Sequence, residues 1–153
     1  PWRYQGTFGQ FGSQFAVTDT RVFVMQMFES LQCLTPDNFF TPGAKGYTFF
    51  AVEGPKGQRV WSKKYPVRAR ALVATADALL AAGPPDVIDP ADPLGSFEGR
   101  KGGLLLALDP KTGEELSRRK LDAPPVFNGL AAAQGRLFLT CVDGRVVCLG
   151  RKL

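Results

Sequence analysis

The sequence predicts an all-β fold built from repeated four-stranded antiparallel sheets, and three observations support this prediction. The chain has 17 glycines and 12 prolines among its 153 residues, a content that suits a chain folded back at many tight turns and argues against a helix bundle. Similar segments recur at a nearly constant spacing. Within each repeat, apolar runs come before polar ones.

The repeat is visible in three segments that begin at Phe15, Leu72 and Leu130, which gives a repeat length of about 57 residues. Each segment has a short apolar or alternating run, a polar turn and a second apolar run. This pattern predicts a β-hairpin. The hairpin is therefore the first half of each repeating unit.

A second pair of runs follows each hairpin, beginning at Tyr47, Gly103 and Gly144. In the first two units an apolar run leads into a tight turn closed by Gly57 or Gly113, and a more polar run with basic residues follows. Inner strands of stacked sheets are buried on both faces, whereas the last strand is a solvent-exposed edge strand. Each unit is thus predicted to be four antiparallel strands, apolar first and polar last.

A four-stranded unit of this kind, repeated along the chain, is typical of β-propeller blades. The units predict the end of a preceding blade or a linker at 1–14, a first blade at 15–69, a second at 70–127 and a partial third at 128–153. Propellers use about four to eight blades, so this portion cannot close a ring. We expect apolar sheet faces at both ends, covered by further blades of a larger propeller or by self-association.

Two long insertions, 28–46 and 83–102, separate the second and third strands of the first two blades. Insertions at equivalent positions project from the same edge of a propeller, which is where specific function is expected. Their aromatic residues can form an exposed platform for a partner chain or a sugar, or a small core beneath the loops. These partner-binding candidates are Phe28, Phe39, Phe40 and Phe97.

Asp86, Asp89 and Asp92 recur at every third position of the second insertion. Carboxylates with backbone carbonyls can ligate a hard cation such as calcium. The alternative is that aspartates next to prolines initiate turns, as in Asp89-Pro90 and Asp92-Pro93. The Asp-x-Asp-x-Asp-Gly spacing of calcium loops is absent, so these are weak metal candidates.

Composition and charge exclude several functions. The chain has no histidine, which removes imidazole-based nucleophile pairs and histidine-ligated metals. Its 19 basic and 14 acidic residues give a net charge of +5. The basic residues fall in short clusters, including Arg68 and Arg70, that are expected in solvated strands and turns. We therefore do not expect nucleic acid as a partner. No apolar stretch approaches the ~18 residues of a membrane span, and no catalytic constellation is recognisable.

Two of the three cysteines, Cys141 and Cys148, flank Asp143-Gly144. A two-residue hairpin turn there places both thiols on one face, at a diagonal separation of roughly 7–8 Å. Relaxed disulfides need Cα atoms at ~4.4–6.8 Å. The cysteines are therefore predicted to be buried free thiols.

One stretch resembles a known family. Ala107-Leu-Asp-Pro-Lys-Thr-Gly is similar to the repeat of pyrroloquinoline-quinone (PQQ) type propellers, whose blades carry Ala-x-Asp-x-x-Thr-Gly-x-x-x-Trp. The first blade keeps the frame and the tryptophan, whereas Ser117 stands at the tryptophan position of the second. The resemblance implies that the motif tryptophan docks one blade onto its neighbour. The blade-docking positions that it marks are Ala51, Gly57, Trp61, Ala107, Asp109, Thr112 and Gly113.

What the resemblance implies about function divides in two. Some members are alcohol or sugar dehydrogenases that use PQQ and calcium, and typically carry adjacent cysteines, which this sequence lacks. Others are bacterial envelope or secreted propellers that bind no quinone and serve as scaffolds. We therefore expect a non-catalytic protein-binding or assembly scaffold, without a cofactor, in the periplasm or outside the cell. Two alternatives remain open: a segment of a PQQ-dependent dehydrogenase, and a module that binds carbohydrate or an anionic surface.

Overall fold

The computed structural model describes residues 12–27, 46–54 and 57–150, and the regular elements of these residues are all β-strands. The strands are β1 (Gln14–Val17), β2 (Arg21–Gln26), β3 (Tyr47–Glu53), β4 (Gln58–Tyr65), β5 (Ala71–Ala74), β6 (Leu79–Gly83), β7 (Gly103–Leu108), β8 (Glu115–Leu121), β9 (Pro125–Ala133), β10 (Arg136–Cys141) and β11 (Val146–Gly150).

The strands form three antiparallel sheets in chain order. The first sheet contains β1 to β4, the second β5 to β8 and the third β9 to β11, and each strand pairs with its neighbour in sequence. The first strands of successive sheets contact one another, β1 against β5 and β5 against β9. This is the arrangement of blades around a hub, and it confirms the predicted all-β propeller portion.

Local chemistry explains the first hairpin of each sheet. The Thr18 hydroxyl accepts a hydrogen bond from the amide of Arg21 at 3.0 Å, and Thr75 does the same for Ala78 at 3.1 Å. Such hydroxyl-to-backbone bonds replace a backbone turn bond. In the third sheet the turn is Gln134-Gly135, with both φ angles positive at 50° and 69°. That geometry is the two-residue hairpin turn whose twist matches the strands.

The core lies between the sheets. Phe49 and Leu106 are fully buried in a cluster shared by the first and second sheets, and Leu139 is buried in a second cluster shared with the third sheet. The strands β4 and β8 carry bulges at the same repeat position, at Val60 and Leu116, opposite the steps that follow Ala51 and Ala107. The internal repeat thus extends to irregularities of the backbone.

The two ends of the stack present partly uncovered apolar residues. Phe15 and Val17 are exposed on β1, and Val146 is 68% exposed on β11. On the third sheet Val146 lies opposite Thr140, and Cys148 lies opposite Phe138, on the face turned away from the second sheet. A further blade or another copy can cover such a face. In the described part of the chain, no helix is long and apolar enough to cross a membrane.

The predicted placement of two cysteines on one face is wrong. Thr140 pairs with Val146, and the amide of Cys141 bonds the carbonyl of Arg145 at 2.9 Å. This pairing is shifted by one residue from that of a two-residue turn, and a one-residue shift moves a side chain to the opposite face. Cys141 is consequently buried against the second sheet, whereas Cys148 is exposed, and both are free thiols.

Candidate binding site at the insertion-bearing edge

Trp61 joins the first sheet to the second. Its indole N–H donates to the carbonyl of Pro110 at 3.1 Å, and its side chain lies in the shared core with the residue 8% exposed. A Cβ atom added to Gly113 would lie 2.7 Å from the Trp61 ring. Because Gly113 has no side chain, the indole can pack directly against the backbone of the β7–β8 turn at this residue.

The shape of that turn follows from its sequence. The Asp109 carboxylate accepts the amide of Lys111 at 2.6 Å and that of Thr112 at 3.2 Å, and the Thr112 hydroxyl accepts the amide of Glu114 at 3.2 Å. Gly113 has a φ of 71°, which favours glycine. Asp109, Thr112 and Gly113 thus each have a defined part in presenting the turn to Trp61.

The remaining motif positions occupy equivalent places in the two sheets. Ala51 lies opposite Trp61, and Ala107 lies opposite Ser117, each next to a bulge. Gly57 has a φ of 62° and closes the β3–β4 turn by donating to Gly54 at 3.0 Å. In the second sheet the position that corresponds to Trp61 is occupied by Ser117, whose small side chain is exposed on β8.

Tyr65 gives this contact between sheets a pH dependence. Burial raises its pKa to about 12, with Glu114 and Glu115 adding to the effect, and its hydroxyl donates to the carbonyl of Gly113. The pKa of Tyr65 in the folded state exceeds the ordinary value of 10.0. The stability that the protonated hydroxyl contributes is therefore complete below a pH equal to that ordinary pKa, and it is lost as the pH rises to about 12.

We expect the unfolding free energy of the wild type to fall more steeply over this pH interval than that of Tyr65→Phe. Urea denaturation at a series of pH values measures this, and parallel curves would contradict it.

The other notable region lies at the edge where both insertions emerge. Because strand direction alternates within a sheet, the β2–β3, β4–β5 and β6–β7 connections share this edge, and so does the start of β9. The β4–β5 connection pairs with the end of β6 and the residues after it. Arg68 donates its amide to Pro84 and Arg70 to Ala82, each at 2.9 Å. The backbone of residues 66–70 is therefore fixed along the second insertion.

Arg68 and Arg70 form, with Phe97 and Phe127, what we call the arginine–aromatic cluster. Both arginines are buried, at 9% and 8% exposure. The Phe97 ring centre is 4.8 Å from the Cζ of Arg68 and 5.7 Å from that of Arg70, and Phe127 is 5.6 Å from the Cζ of Arg70. The expectation that these arginines lie in solvated strands is wrong, because the second insertion and β9 cover them.

The two guanidinium groups differ in their electrostatic partners. Burial lowers the pKa of both, but Tyr47 and Asp86 act in the opposite direction on Arg68. For Arg70 the additional influence is the positive charge of Arg68, which lowers its pKa further. Positive charge is thus concentrated in a region with little access to solvent, where electrostatic interactions are stronger than in water.

Asp86, Asp89 and Asp92 are not brought together as a cation site. Asp86 is buried and accepts the amide of Gly46 at 2.8 Å, and burial raises its pKa. Asp89 pairs with Lys101 at 2.6 Å and Asp92 with Arg100 at 2.5 Å. Within the described ranges, no group of three potential metal ligands is present. The bond from Gly46 to Asp86 instead links the end of the first insertion to the second.

Phe97 is the one aromatic candidate whose position the structure describes. It is 37% exposed, and the guanidinium groups of Arg68 and Arg70 both lie against its ring. Phe28, Phe39 and Phe40 lie outside the described residues. A small open cleft of about 30 Å³ lies beside Phe97, lined also by Tyr47, Arg68 and Asp86. Val87 and Ile88, each 48% exposed, extend its apolar rim.

Sequence reasoning selected Phe97 and Asp86 but missed Arg68, Arg70, Tyr47 and Phe127. The sequence does contain a signal for the arginines. Arg68 and Arg70 are two residues apart, directly before the apolar run that begins at Ala71, and residues two apart share one face of a strand. What the pattern lacks is any sign that the second insertion folds back over that face.

Comparisons with known proteins bear on the fold. No family model and no curated protein matches the sequence. Among solved structures, the chain is similar to the crystal structure of BamB from Moraxella catarrhalis, a β-propeller, with a TM-score of 0.53 and 12% sequence identity. The match covers 90% of this chain and 32% of that one, so the chain spans about a third of the matched structure. At this identity the likeness shows the propeller fold alone.

Proposed function

We propose that this chain is a portion of a non-catalytic, PQQ-like β-propeller that binds a protein partner at the insertion-bearing edge, in the bacterial periplasm or outside the cell. The observation that carries the proposal is the arginine–aromatic cluster beside exposed Val87 and Ile88. Arginine and aromatic residues are enriched at protein interfaces and in their energetic hot spots. The location rests on the resemblance of the repeat to envelope and secreted propellers.

The elements that form this edge are also rigid enough to suit recognition of a protein partner. The site is formed by a connection between sheets, the start of β9 and an insertion held by internal bonds, such as that from the Ser96 hydroxyl to the carbonyl of Pro85. A surface held in this way loses little conformational entropy when a partner binds. Scaffolds that recognise partners through rigid blades and variable loops work on this principle.

Selection from a displayed library of short random peptides tests this function. We expect the full chain to enrich peptides whose binding is abolished by Ile88→Asp and retained by Leu116→Asp. Leu116 is a matched control, since it is exposed and aliphatic but lies on the outer strand β8. Failure to enrich any peptide, or equal loss in both variants, would argue against a protein-binding edge.

The non-catalytic part of the proposal has its own test. We expect the chain, mixed with PQQ and calcium, to show neither the absorbance of bound quinone nor dye-linked oxidation of alcohols or sugars. Quinone binding with turnover would replace the scaffold proposal by the dehydrogenase alternative. Binding to a glycan array in the absence of any peptide ligand would favour the carbohydrate module instead.

A further inference from the structure

Arg70 is a buried cation without an anionic partner among the described residues. Within the described ranges, its guanidinium donates a hydrogen bond to the carbonyl of Phe97 and lies against the rings of Phe97 and Phe127. An arginine has five N–H donors and no acceptor. The remaining donors therefore have capacity for a ligand that accepts hydrogen bonds.

The surroundings of Arg70 make this arrangement costly in the free protein. Arg70 is only 8% exposed, and among the described residues the charge that acts on it is the like charge of Arg68, which lowers its pKa beyond the effect of burial. Asp86, the carboxylate that acts on Arg68, does not act on Arg70. A buried charge is ordinarily paired or hydrogen-bonded on all sides, because leaving it uncompensated destabilises the fold.

The same edge supplies exposed apolar area: Phe127 lies against Arg70, and Val87 and Ile88 line the cleft that Arg68 and Phe97 also line. Phe127 is 60% exposed, and Val87 and Ile88 are each 48% exposed. A small free anion has no apolar groups to bury against this area, whereas a peptide places an acidic side chain and apolar neighbours on one surface. Planar guanidinium groups bind carboxylates through two parallel hydrogen bonds.

We propose that Arg70, assisted by Arg68, is the binding site for an aspartate or glutamate side chain of the protein partner, within a segment whose apolar residues pack on Phe127, Val87 and Ile88. This inference rests on the proposed protein-binding function and specifies the chemistry of its ligand. The carboxylate supplies a counter-charge that residues 12–27, 46–54 and 57–150 do not provide to Arg70.

The test uses the peptides that the displayed library selects. We expect these peptides to carry an Asp or Glu among apolar residues, and Arg70→Gln to bind them at least ~30-fold more weakly. Replacing the acidic residue of the peptide by its amide should weaken binding to the unaltered protein by a similar factor. Arg119→Gln is the control, since Arg119 is exposed on β8, and it should bind as the wild type does.

Other outcomes would overturn the inference in distinguishable ways. Peptides that depend on Ile88 but lack an acidic residue, or that bind Arg70→Gln normally, would leave the proposed function standing and remove the carboxylate site. Acetate or inorganic phosphate that competes fully at low concentration would assign the site to a small anion instead. The absence of any selected peptide would remove the proposed function itself.

The stability of the free protein gives an independent measurement. Replacing a buried charge that has no counter-ion by an apolar side chain of similar length removes the desolvation cost of that charge. We therefore expect Arg70→Met to unfold at a Tm equal to or above that of the wild type while losing peptide binding. A lower Tm with unchanged binding would assign Arg70 a structural role and contradict the inference.

Discussion

Replacing Trp61 by alanine is expected to lower the free energy of unfolding by about 3–5 kcal/mol, the usual cost of removing a buried tryptophan. The substitution removes the indole from the contact between the first two sheets, where it packs on Gly113 and lies 6.2 Å from the ring of Phe23. It also removes one of the two hydrogen bonds that described residues donate to the Pro110 carbonyl, the other being that from Arg21 at 2.7 Å. Urea denaturation, monitored by circular dichroism, measures the change in unfolding free energy.

Val60→Ala is the matched control for this prediction. Val60 precedes Trp61 on β4, but it is 40% exposed, so its truncation should cost less than about 1 kcal/mol. A Trp61→Ala variant that unfolds at the same urea concentration as Val60→Ala would show that the indole does not hold the two sheets together.

The second large effect is expected at Gly83, the last residue of β6. A Cβ atom there would lie 2.0 Å from the carbonyl oxygen of Arg68 and 2.9 Å from the Cα of Ala69. Both neighbours are backbone atoms in the connection that pairs with this part of the chain, so neither can move without breaking that pairing. Gly83→Ala is expected to cost about 3 kcal/mol or more, at the upper end of overpacking effects.

Gly150→Ala provides the comparison. A Cβ at Gly150 would lie 3.7 Å from the Cγ of Arg136, which is an ordinary contact, so its unfolding free energy should change by less than about 1 kcal/mol. Thermal and urea unfolding of the two variants measure the difference. Equal stability of Gly83→Ala and the wild type would mean that the Arg68 backbone does not approach β6 as closely as described.

Hairpin and turn positions were predictable because local chemistry determines them. Thr18 and Thr75 occupy the same place in their repeats and make the same hydroxyl-to-backbone bonds. Asp109, Thr112 and Gly113 likewise specify their turn through bonds within five residues. A pattern read along the chain contains these interactions, so the sheets and their order followed from it.

Features that depend on strand register, or on one segment packing over a distant one, were not predictable in the same way. Cys141 and Cys148 fell on opposite faces because the hairpin pairing differs by one residue from the assumed turn. Arg68 and Arg70 are buried because an insertion and the next sheet cover them. Neither the length of that insertion nor its composition indicates where it packs.

The sheets depend on one another for their stability. Each is stabilised by burying a face against its neighbour, as the core shared by Phe49 and Leu106 indicates. Amide hydrogen exchange, measured strand by strand in the wild type and in Trp61→Ala, reports this coupling. We expect β3 and β4 of the first sheet and β7 and β8 of the second to lose protection together in the variant. Loss confined to the first sheet, with the second fully protected, would contradict it.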